Sequence, residues 1–342
     1  MPGVFAIDPL ADPRWDELVA RHPRASIFHS RGWIEALSRT YGYEPVVMTT
    51  TGDGPLENGL LLCRVRTWLS RRLVSLPFSD HCEPLVDTRQ DLATVLGAIR
   101  RDIESGRWRS FELRPRSSPP VGLARGSEYW LHTLDLARPA SQVFSGLHAS
   151  STQRAIRRAE REGLEYEVGT SDTLLAAFYR LLRLTRRRHG IPPQPFAWFR
   201  NLVTCLHDRL AIHAASKDGL PVAAILTISF GRTMVYKYGG SDATRHNLGG
   251  MPFLFWRAIL GAQSQGLAEL DLGRADLDQR GLITFKQHLG ATPTRLTYRV
   301  FPEGRIAPAR SGTLARVVQS VVKRLPDAAL DLTGRLVYRH LG

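Results

Sequence analysis

Lysine, cysteine and long hydrophobic runs are all scarce in this chain of 342 residues. Only four of its 46 basic residues are lysines, so arginine carries almost all of the positive charge. The three cysteines, Cys63, Cys82 and Cys205, are odd in number and widely spaced, which fits neither a disulfide framework nor a zinc site. The uncharged stretch 219–231 has 13 residues and is too short to span a bilayer. We therefore expect no disulfide-stapled scaffold, no transmembrane helix and no metal or other cofactor.

The N-terminal segment 1–16 lacks the basic start, the apolar stretch and the small-residue cleavage site of a secretory signal. We therefore expect a cytosolic protein, with peripheral contact at the inner face of the cell membrane as an open alternative. With 43% hydrophobic and 23% charged residues, the chain is long enough for two domains of ordinary size.

The formal net charge is +14, which makes polyanions natural partners. Nucleic acid, a nucleotide-linked substrate and an anionic membrane all fit this charge, and a compositional preference for arginine across a whole proteome is the plain alternative. The basic residues do cluster, however, on two predicted helices. They are Arg154, Arg157, Arg158 and Arg161 on one helix, and Arg186, Arg187 and Arg188 at the end of the next.

One of the few lysines, Lys286, lies inside the apolar arc of a short predicted helix, between Leu282 and Leu289. A lysine ammonium is a compact charge that can be directed at one developing oxyanion, whereas arginine is a wide, planar fork. The segment 270–286 predicts a strand, a polar loop and a helix, which is where the site of an α/β protein usually lies. This context favours a functional Lys286 over a surface lysine that extends its stem across the helix face.

Hydrophobic periodicity, caps and turn residues predict an α/β (mixed α+β) fold in which one order of elements occurs twice. In the first half we expect helices at 14–21, 31–40 and 91–104, with strands at 4–7, 45–50, 60–68, 72–76, 110–113 and 129–136. In the second half we expect helices at 150–162, 171–190, 195–207, 251–264 and around Lys286, with strands at 164–168, 210–216, 222–230, 234–238, 267–272 and 294–300. The predicted domains are 1–145 and 146–305, followed at 306–342 by a basic tail of two amphipathic helices, 313–324 and 328–340.

This doubled order resembles two tandem GNAT domains, each a mixed twisted sheet flanked by helices, and the arrangement is similar to the Fem-type (FemABX) acyltransferases and the FemAB-related proteins of exopolysaccharide clusters. The resemblance covers about residues 1–305. Short sequence segments that look typical of this group support the resemblance. They are Phe28-His29-Ser30-Arg31-Gly32-Trp33, Leu76-Pro77-Phe78-Ser79-Asp80 with Pro84-Leu85, Thr185-Arg186-Arg187-Arg188-His189-Gly190-Ile191-Pro192, Tyr236-Lys237-Tyr238-Gly239-Gly240-Ser241, Asp271-Leu272-Gly273-Arg274, and Phe285-Lys286 with Leu289-Gly290.

Ordinary GNAT enzymes bind the coenzyme A pyrophosphate on a glycine-bearing loop at a helix N-terminus. The corresponding loop here, 246–251, keeps Gly249 and Gly250 but begins with histidine and ends with methionine. The half-kept pattern disfavours acetyl-CoA and resembles the Fem-type group, whose donor is an aminoacyl-tRNA. Gly249 and Gly250 are the predicted phosphate-binding residues, and a flexible entry to the helix is the alternative.

The resemblance also implies roles for individual residues. Lys286 would neutralise the anionic intermediate or an adjacent phosphate, with Asp80 and Arg274 as further catalytic candidates. The predicted substrate-binding residues are Arg188, Tyr236, Tyr238, Trp33 and Asp271. Tyr236 and Tyr238 are expected on one strand face, so either could serve, while Arg188 could instead be a solvated helix end. A triad in the adjacent Ser79, Asp80 and His81 is rejected because neighbours in sequence cannot supply its geometry.

Three functions remain open from the sequence. The first is transfer of an aminoacyl or other acyl group, most simply from aminoacyl-tRNA, to an amine of a nucleotide-linked or lipid-linked cell-wall or exopolysaccharide precursor. The second is acyl-CoA-dependent N-acetyl transfer. The third is a catalytically silent, peripheral-membrane partner of a polysaccharide assembly system, which contacts the membrane through its basic tail.

Overall fold

A computed structural model describes residues 3–66, 71–117 and 122–304, together with residues 322, 325–326, 329–330, 332–334 and 337–338 of the tail. The chain forms two compact units. The first comprises Met1–Glu128, Leu296–Ala309 and Leu336–Gly342, and the second comprises Tyr129–Arg295 and Arg310–Arg335.

The elements follow one another in the predicted alternation of helices and strands. In chain order they are β1 (Phe5–Ile7), α1 (Arg14–Arg21), α2 (Arg31–Tyr41), β2 (Glu44–Thr49), β3 (Leu60–Arg66), β4 (Arg71–Ser75), α3 (Arg89–Glu104), β5 (Ser110–Leu113), β6 (Ala124–Asp135), α4 (Ala140–Gly146), α5 (Arg154–Arg161), β7 (Glu165–Gly169), α6 (Asp172–His189), α7 (Phe196–Leu206), β8 (Leu210–Lys217), β9 (Leu220–Phe230), β10 (Thr233–Ser241), α8 (Gly250–Ser264), β11 (Glu269–Asp276), α9 (Arg280–His288) and β12 (Thr292–Phe301).

The first unit is a mixed sheet in the order β1-β2-β3-β4-β5-β12. Only the β4–β5 pair is parallel, and the other neighbours are antiparallel. Thr88 caps the N-terminus of helix α3, because its hydroxyl accepts the backbone N–H of Asp91. The helix buries Val95 and Ile99 in the core beside Phe111. The helix covers the sheet because its apolar residues recur at helical spacing.

The second unit is a mixed sheet in the order β6-β11-β10-β9-β8-β7, with β10 and β11 as its parallel pair. Ser171 caps the N-terminus of helix α6, because its side chain accepts the N–H of Leu174, and Gly190, with φ 66°, follows its last residue. A left-handed residue of this kind closes a helix without a Cβ clash. The core on one face of the sheet is formed by α8 together with residues of β9, β10 and β11.

The mixed α/β class is confirmed, and the predicted helices and strands occur in the predicted order with boundaries that differ by a few residues. The sequence did not reveal α4, and β6 begins at Ala124 rather than near Tyr129. Residues 129–135 of β6 pair with β11 in the second unit, whereas residues 299–301 of β12 pair with β5 in the first. The chain therefore passes from the first compact unit to the second between residues 128 and 129. The domain boundary at 145/146, which follows the repeat of elements, stays a prediction.

The predicted tail helices at 313–324 and 328–340 lie largely outside the described residues. Among the described tail positions, Val322, Leu330 and Tyr338 are buried, and the backbone carbonyl of Tyr338 accepts the hydroxyl of Tyr43 at 3.0 Å. Apolar side chains of the tail thus pack within the protein. None of the helices in the described part of the chain has both the length and the hydropathy to cross a membrane.

Candidate active site

The parallel strands β10 and β11 separate at their carboxyl ends. They pair from Thr233–Val235 to Glu269–Asp271, and beyond this point β10 continues to pair with β9 and β11 with β6. A gap between parallel strands at their carboxyl ends is where α/β folds bind ligands, because side chains and backbone groups from both strands face it. The residues that follow Val235 and Asp271 are therefore the first candidates for catalytic or binding groups.

A β-bulge interrupts β11 directly after this separation. Asp271 pairs with Thr133 and Arg274 pairs with Leu131, so that Leu272 and Gly273 lie opposite the single residue His132. Gly273 has φ 72°, a left-handed conformation that glycine adopts without a Cβ penalty. The bulge turns two consecutive carbonyl groups, those of Gly273 and Arg274, toward α9.

Lys286 fills this bulge. Its Nζ donates to the carbonyl of Gly273 at 2.8 Å and to that of Arg274 at 2.9 Å, and its side chain is 2% exposed. Lys286 is the one buried residue of the nine in α9. The alternative of a lysine that extends its stem along the surface is therefore wrong, because the ammonium lies in the interior and is held by backbone carbonyls.

Two further polar groups lie buried around the bulge. Asp271 is 1% exposed, and its Oδ1 accepts the N–H of Gly273 at 2.7 Å. His132 is fully buried, which lowers its pKa to about 4 because burial disfavours the imidazolium; the charge of Lys286 adds to this effect and the backbone of Trp130 opposes it. His132 is not among the site residues predicted from the sequence, although it is the polar residue on a strand face that continues with Leu134 and Leu136.

A second β-bulge interrupts β10. Tyr236 pairs with Thr227 and Tyr238 pairs with Leu226, so Lys237 is an extra residue. Because neighbouring residues of β9 face opposite sides of the sheet, the two tyrosines also face opposite sides. The expectation that Tyr236 and Tyr238 share a strand face is wrong, since the bulge shifts the alternation by one residue.

The two tyrosine rings consequently lie in different surroundings. Tyr236 packs edge-on against Phe255 of α8, with ring centroids 4.8 Å apart, and burial raises its pKa to about 12 although Arg186 opposes the shift. Tyr238 packs edge-on against Phe199 of α7, and its hydroxyl accepts the indole N–H of Trp198 at 2.9 Å.

Arg188 lies exposed in the last turn of α6, beside the loop that precedes α8. Its Nη1 is 3.3 Å from Nε2 of His246, and the hydroxyl of Ser241 is 2.9 Å from the same nitrogen. Burial, with the nearby charge of Arg188, lowers the pKa of His246, and Asp242 partly opposes this. A neutral His246 accepts from Arg188, which orients the guanidinium at the end of β10.

The glycines of this loop are packed against other parts of the same unit. A Cβ on Gly249 would overlap the carbonyl of Ala155 in α5, and one on Gly250 would come within 3.0 Å of the Ala223 side chain. Arg158 of α5 also donates to the carbonyl of Asn247 at 3.2 Å. Close packing thus accounts for both glycines, and the backbone of α5 lies against Gly249 on the side where a Cβ would stand.

Comparison with known proteins assigns the family. Residues 148–286 match the family described as acetyltransferase (GNAT) domain. The chain is 30% identical over 267 residues to a UDP-N-acetylmuramoylpentapeptide-lysine N(6)-alanyltransferase of Weissella viridescens, a match that covers 70% of this chain and 77% of that protein. The chain belongs to the Fem-type acyltransferases.

Solved structures show the same fold for this Fem-type chain. The crystal structure of FemX is similar with a TM-score of 0.67, at 13% identity, over 86% of this chain and 96% of that one. A tandem GNAT protein from the clavulanic acid biosynthesis pathway is similar with a TM-score of 0.52, at 12% identity, over 87% and 97%. The predicted tandem GNAT fold and N-acyl transfer activity are confirmed at the level of the family.

The predicted catalytic and substrate-binding residues of the Fem-type chain divide into three groups. Lys286, Asp271 and Arg274 meet at the β11 bulge, where the Arg274 guanidinium also lies 4.1 Å from the ring centroid of Tyr129. Tyr236, Tyr238 and Arg188 lie on β10 or beside its end. Trp33 and Asp80 belong to the first unit.

The first-unit residues are held by their own surroundings. Trp33 is fully buried and packs edge-on against Phe28, so we leave it out of the proposed site. The backbone carbonyl of Asp80 accepts the Tyr298 hydroxyl at 2.7 Å. Ser79 donates its hydroxyl to the carbonyl of Leu76, which agrees with the rejection of a triad in this loop.

Proposed function

We propose that this enzyme transfers an aminoacyl group from aminoacyl-tRNA to an amine of a cell-wall or exopolysaccharide precursor. The single observation that carries the proposal is the match over 267 residues to an alanyltransferase whose acceptor is the lysine of a UDP-linked muramoyl pentapeptide. Nucleotide-linked and lipid-linked precursors both carry anionic phosphates, which suit a chain of net charge +14.

The proposed role of Lys286 is electrostatic. The ammonium is fixed by two carbonyl groups, so its charge is in place before the substrate arrives and need not reorganise during the reaction. In an interior of low dielectric such a charge acts on a nearby oxyanion more strongly than it would in water. Lys286 would therefore stabilise the negative oxygen of the tetrahedral intermediate or a phosphate beside it.

The reaction needs no covalent enzyme intermediate. The acceptor amine attacks the ester carbonyl, a C–N bond forms, the ester C–O bond breaks, and the ribose hydroxyl of the tRNA leaves. The proton of the amine passes to a carboxylate, for which the substrate itself is the proposed source, and is returned to the leaving ribose oxygen. Arg188 would hold an anionic group of the acceptor, since its guanidinium is exposed and oriented by His246.

The packing of the glycine loop supports a tRNA donor over acyl-CoA. The carbonyl of Ala155 lies against Gly249, and a carbonyl oxygen repels the phosphate that this position would have to accept in a coenzyme A site. Helix α5, which supplies that carbonyl, instead exposes Arg154, Arg157, Arg158 and Arg161. An exposed row of arginines suits the phosphate backbone of RNA.

The donor can be tested by ligand protection of the purified protein. We expect alanyl-tRNA to raise the melting temperature and acetyl-CoA at equal concentration to leave it unchanged, because only a ligand that binds the folded state stabilises it. Formation of alanylated UDP-N-acetylmuramoyl pentapeptide would then test the acceptor. Protection by acetyl-CoA together with none by alanyl-tRNA would reverse the choice of donor.

The salt dependence of tRNA binding locates the charged surface. Replacing Arg154 and Arg161 by Gln removes two exposed charges from α5, and the slope of log affinity against log salt should fall by about two, one unit for each lost phosphate contact. The matched control replaces Arg89 and Arg101, two exposed arginines of α3, by Gln and should leave the slope unchanged. Equal effects of both pairs would mean that net charge alone attracts the RNA.

A further inference from the structure

The C-terminal end of α9 is fastened by a cluster that the proposed chemistry does not use. The cluster consists of His148, Ser151, Thr152 and His288, and we call it the α9 clamp. His148 precedes a π-helical turn at Ala149–Gln153, which leads directly into α5, and His288 is the last residue of α9. Turns of this kind are rare and occur frequently at functional sites.

Side chains and backbone both take part in the clamp. The rings of His148 and His288 are stacked, with centroids 3.9 Å apart and planes 11° from parallel. The hydroxyl of Ser151 bridges the two rings at their edges, 2.8 Å from Nδ1 of His148 and 3.0 Å from Nδ1 of His288. The carbonyl of His288 accepts the N–H of His148 at 2.9 Å and the hydroxyl of Thr152 at 3.0 Å.

The serine hydroxyl sets the tautomers of both rings when they are neutral. A hydroxyl has one proton, so it donates to one Nδ1 and accepts an N–H from the other. The carbonyl of His288 is one of the last groups of α9 that have no partner inside the helix, and the clamp supplies two donors for it. The clamp therefore fixes both the position and the orientation of the last turn of α9.

Lys286 lies in that last turn, two residues before His288. Because α9 buries only Lys286 among its nine residues, little apolar packing within the helix holds it in place. Phe285, which is partly buried, adds a ring contact with Phe255, with centroids 5.6 Å apart. Leu289, directly after α9, is 1% exposed and packs in the core, so the placement of the ammonium depends on its hydrogen bonds, on this apolar packing and on the clamp.

We propose that the α9 clamp positions Lys286 for acyl transfer, with Ser151 and His148 as positioning residues. The inference rests on the proposed function of Lys286, since the clamp acts through that residue. A charge that stabilises a transition state must be held close to its productive position, and small displacements cost rate rather than binding.

The first test is Ser151→Ala, which removes the bridge between the two rings at an exposed site. We expect single-turnover transfer of alanine from alanyl-tRNA to the UDP-linked pentapeptide to fall about tenfold, with KM changed less than about twofold, because misplacement of a catalytic group lowers kcat. The melting temperature should stay near that of the wild type. The matched control is Ser264→Ala, an exposed serine that bonds only its own helix, and it should leave transfer unchanged.

A double-mutant cycle separates positioning from a structural role. In a Lys286→Met background, Ser151→Ala should cause no further loss of transfer, because the residue through which it acts is already gone. Independent losses that multiply would overturn the proposal. Capture of an acyl group on Ser151 would also overturn it, since Ser151 would then be a nucleophile rather than a positioning residue.

Hydrogen exchange decides the question without any substrate. The amides of residues 285–290 should exchange faster in Ser151→Ala than in Ser264→Ala if the clamp holds this end of α9. Unchanged exchange there would refute the clamp even if transfer were lost. If exchange is faster in Ser151→Ala but the wild type shows no detectable transfer, the clamp is retained and the proposed substrates are rejected.

Discussion

Strands β10 and β11 lie side by side, and each contains a β-bulge just beyond the point where their pairing ends. In β11 the bulge presents the carbonyl groups of Gly273 and Arg274 to the buried ammonium of Lys286. In β10 the extra residue, Lys237, is itself partly exposed, and the bulge serves to send two tyrosine rings to opposite faces of the sheet. A β-bulge thus provides acceptors for a buried charge on β11, whereas on β10 it directs two neutral rings to opposite faces.

The two bulges should therefore respond to different changes. A buried charge is costly unless it is paired or hydrogen-bonded, so the β11 bulge and Lys286 depend on each other. The β10 bulge is stabilised by packing on two faces, and the space beside each ring matters more than charge there. Substitutions at matched positions on the two strands can distinguish these cases.

The largest effect is expected for Lys286→Met. Transfer should fall by about 100-fold or more, the usual scale for one preorganised electrostatic group. Stability should also fall, by about 1–3 kcal/mol, because two buried carbonyls lose their donor. Single-turnover transfer and thermal unfolding measure the two effects separately, and near-normal transfer would remove Lys286 from the mechanism.

Two controls belong to this experiment. Lys286→Arg should restore little activity, because a wide fork does not fit the place of a point charge held by two adjacent carbonyls. Lys237→Met removes the partly exposed lysine of the other bulge and should change transfer less than about threefold, because Lys237 has no proposed role in the reaction. A loss in Lys237→Met as large as that in Lys286→Met would mean that the bulges do not differ.

The sequence predicted most of the helices and strands because their signals are local. Ser171 and Gly190 mark both ends of α6, and the apolar spacing between them is helical. Helix α4 was missed because its seven residues bury only Val143 and show no periodicity. The burial of Lys286 could be predicted only in part. Its apolar flanks indicate that the side chain points inward, but they do not indicate which groups accept hydrogen bonds from the ammonium.

The bulges could not be predicted, because they depend on pairing between strands rather than on either strand alone. Tyr236 and Tyr238 are two residues apart, and local alternation places them on one face. Only the register with Thr227 and Leu226 shows that Lys237 is extra. The pairing of β12 with β5 is equally invisible, because the two strands lie almost 180 residues apart in the chain.

Two adjacent glycines test the β10 bulge from both faces. Gly240→Ala should cost about 2 kcal/mol, the scale of overpacking, because its Cβ would overlap the backbone between Leu181 and Leu182 of α6. Gly239→Ala should cost less than about 1 kcal/mol, since its Cβ meets only the hydroxyl end of Tyr236, 2.5 Å away, which a side chain can move. Denaturant unfolding measures both, and equal losses would show that the two faces are equally rigid.

The β11 bulge should make stability sensitive to acid through His132. The pKa of this buried ring is about 4, against 6.5 for an ordinary histidine, so the unfolded chain takes up the proton first. The stabilisation by the neutral ring is complete above pH 6.5 and is lost as the pH falls toward 4. At pH 5 the loss in the free energy of unfolding is on the order of 1–2 kcal/mol.

Removing the charge beside His132 tests the cause of this sensitivity. Lys286→Met should raise the pKa of His132 and so reduce the loss between pH 6.5 and 5, as followed by urea unfolding across that range. His132→Gln should reduce the same loss without touching Lys286. An unchanged pH dependence in both variants would assign the acid sensitivity to other buried histidines.

The smallest effects concern the two tyrosine hydroxyls. Tyr238→Phe should cost about 1 kcal/mol, because the buried indole N–H of Trp198 loses its acceptor. Tyr236→Phe should leave stability nearly unchanged, because the ring contact with Phe255 remains. With a pKa of about 12 the Tyr236 phenol keeps its proton near neutral pH, so it can donate a hydrogen bond to a substrate but does not act as a base. A moderate loss of transfer in Tyr236→Phe with full stability, and the reverse pattern in Tyr238→Phe, would place the substrate on the α8 face of β10, whereas the opposite result would move it to the face of α7.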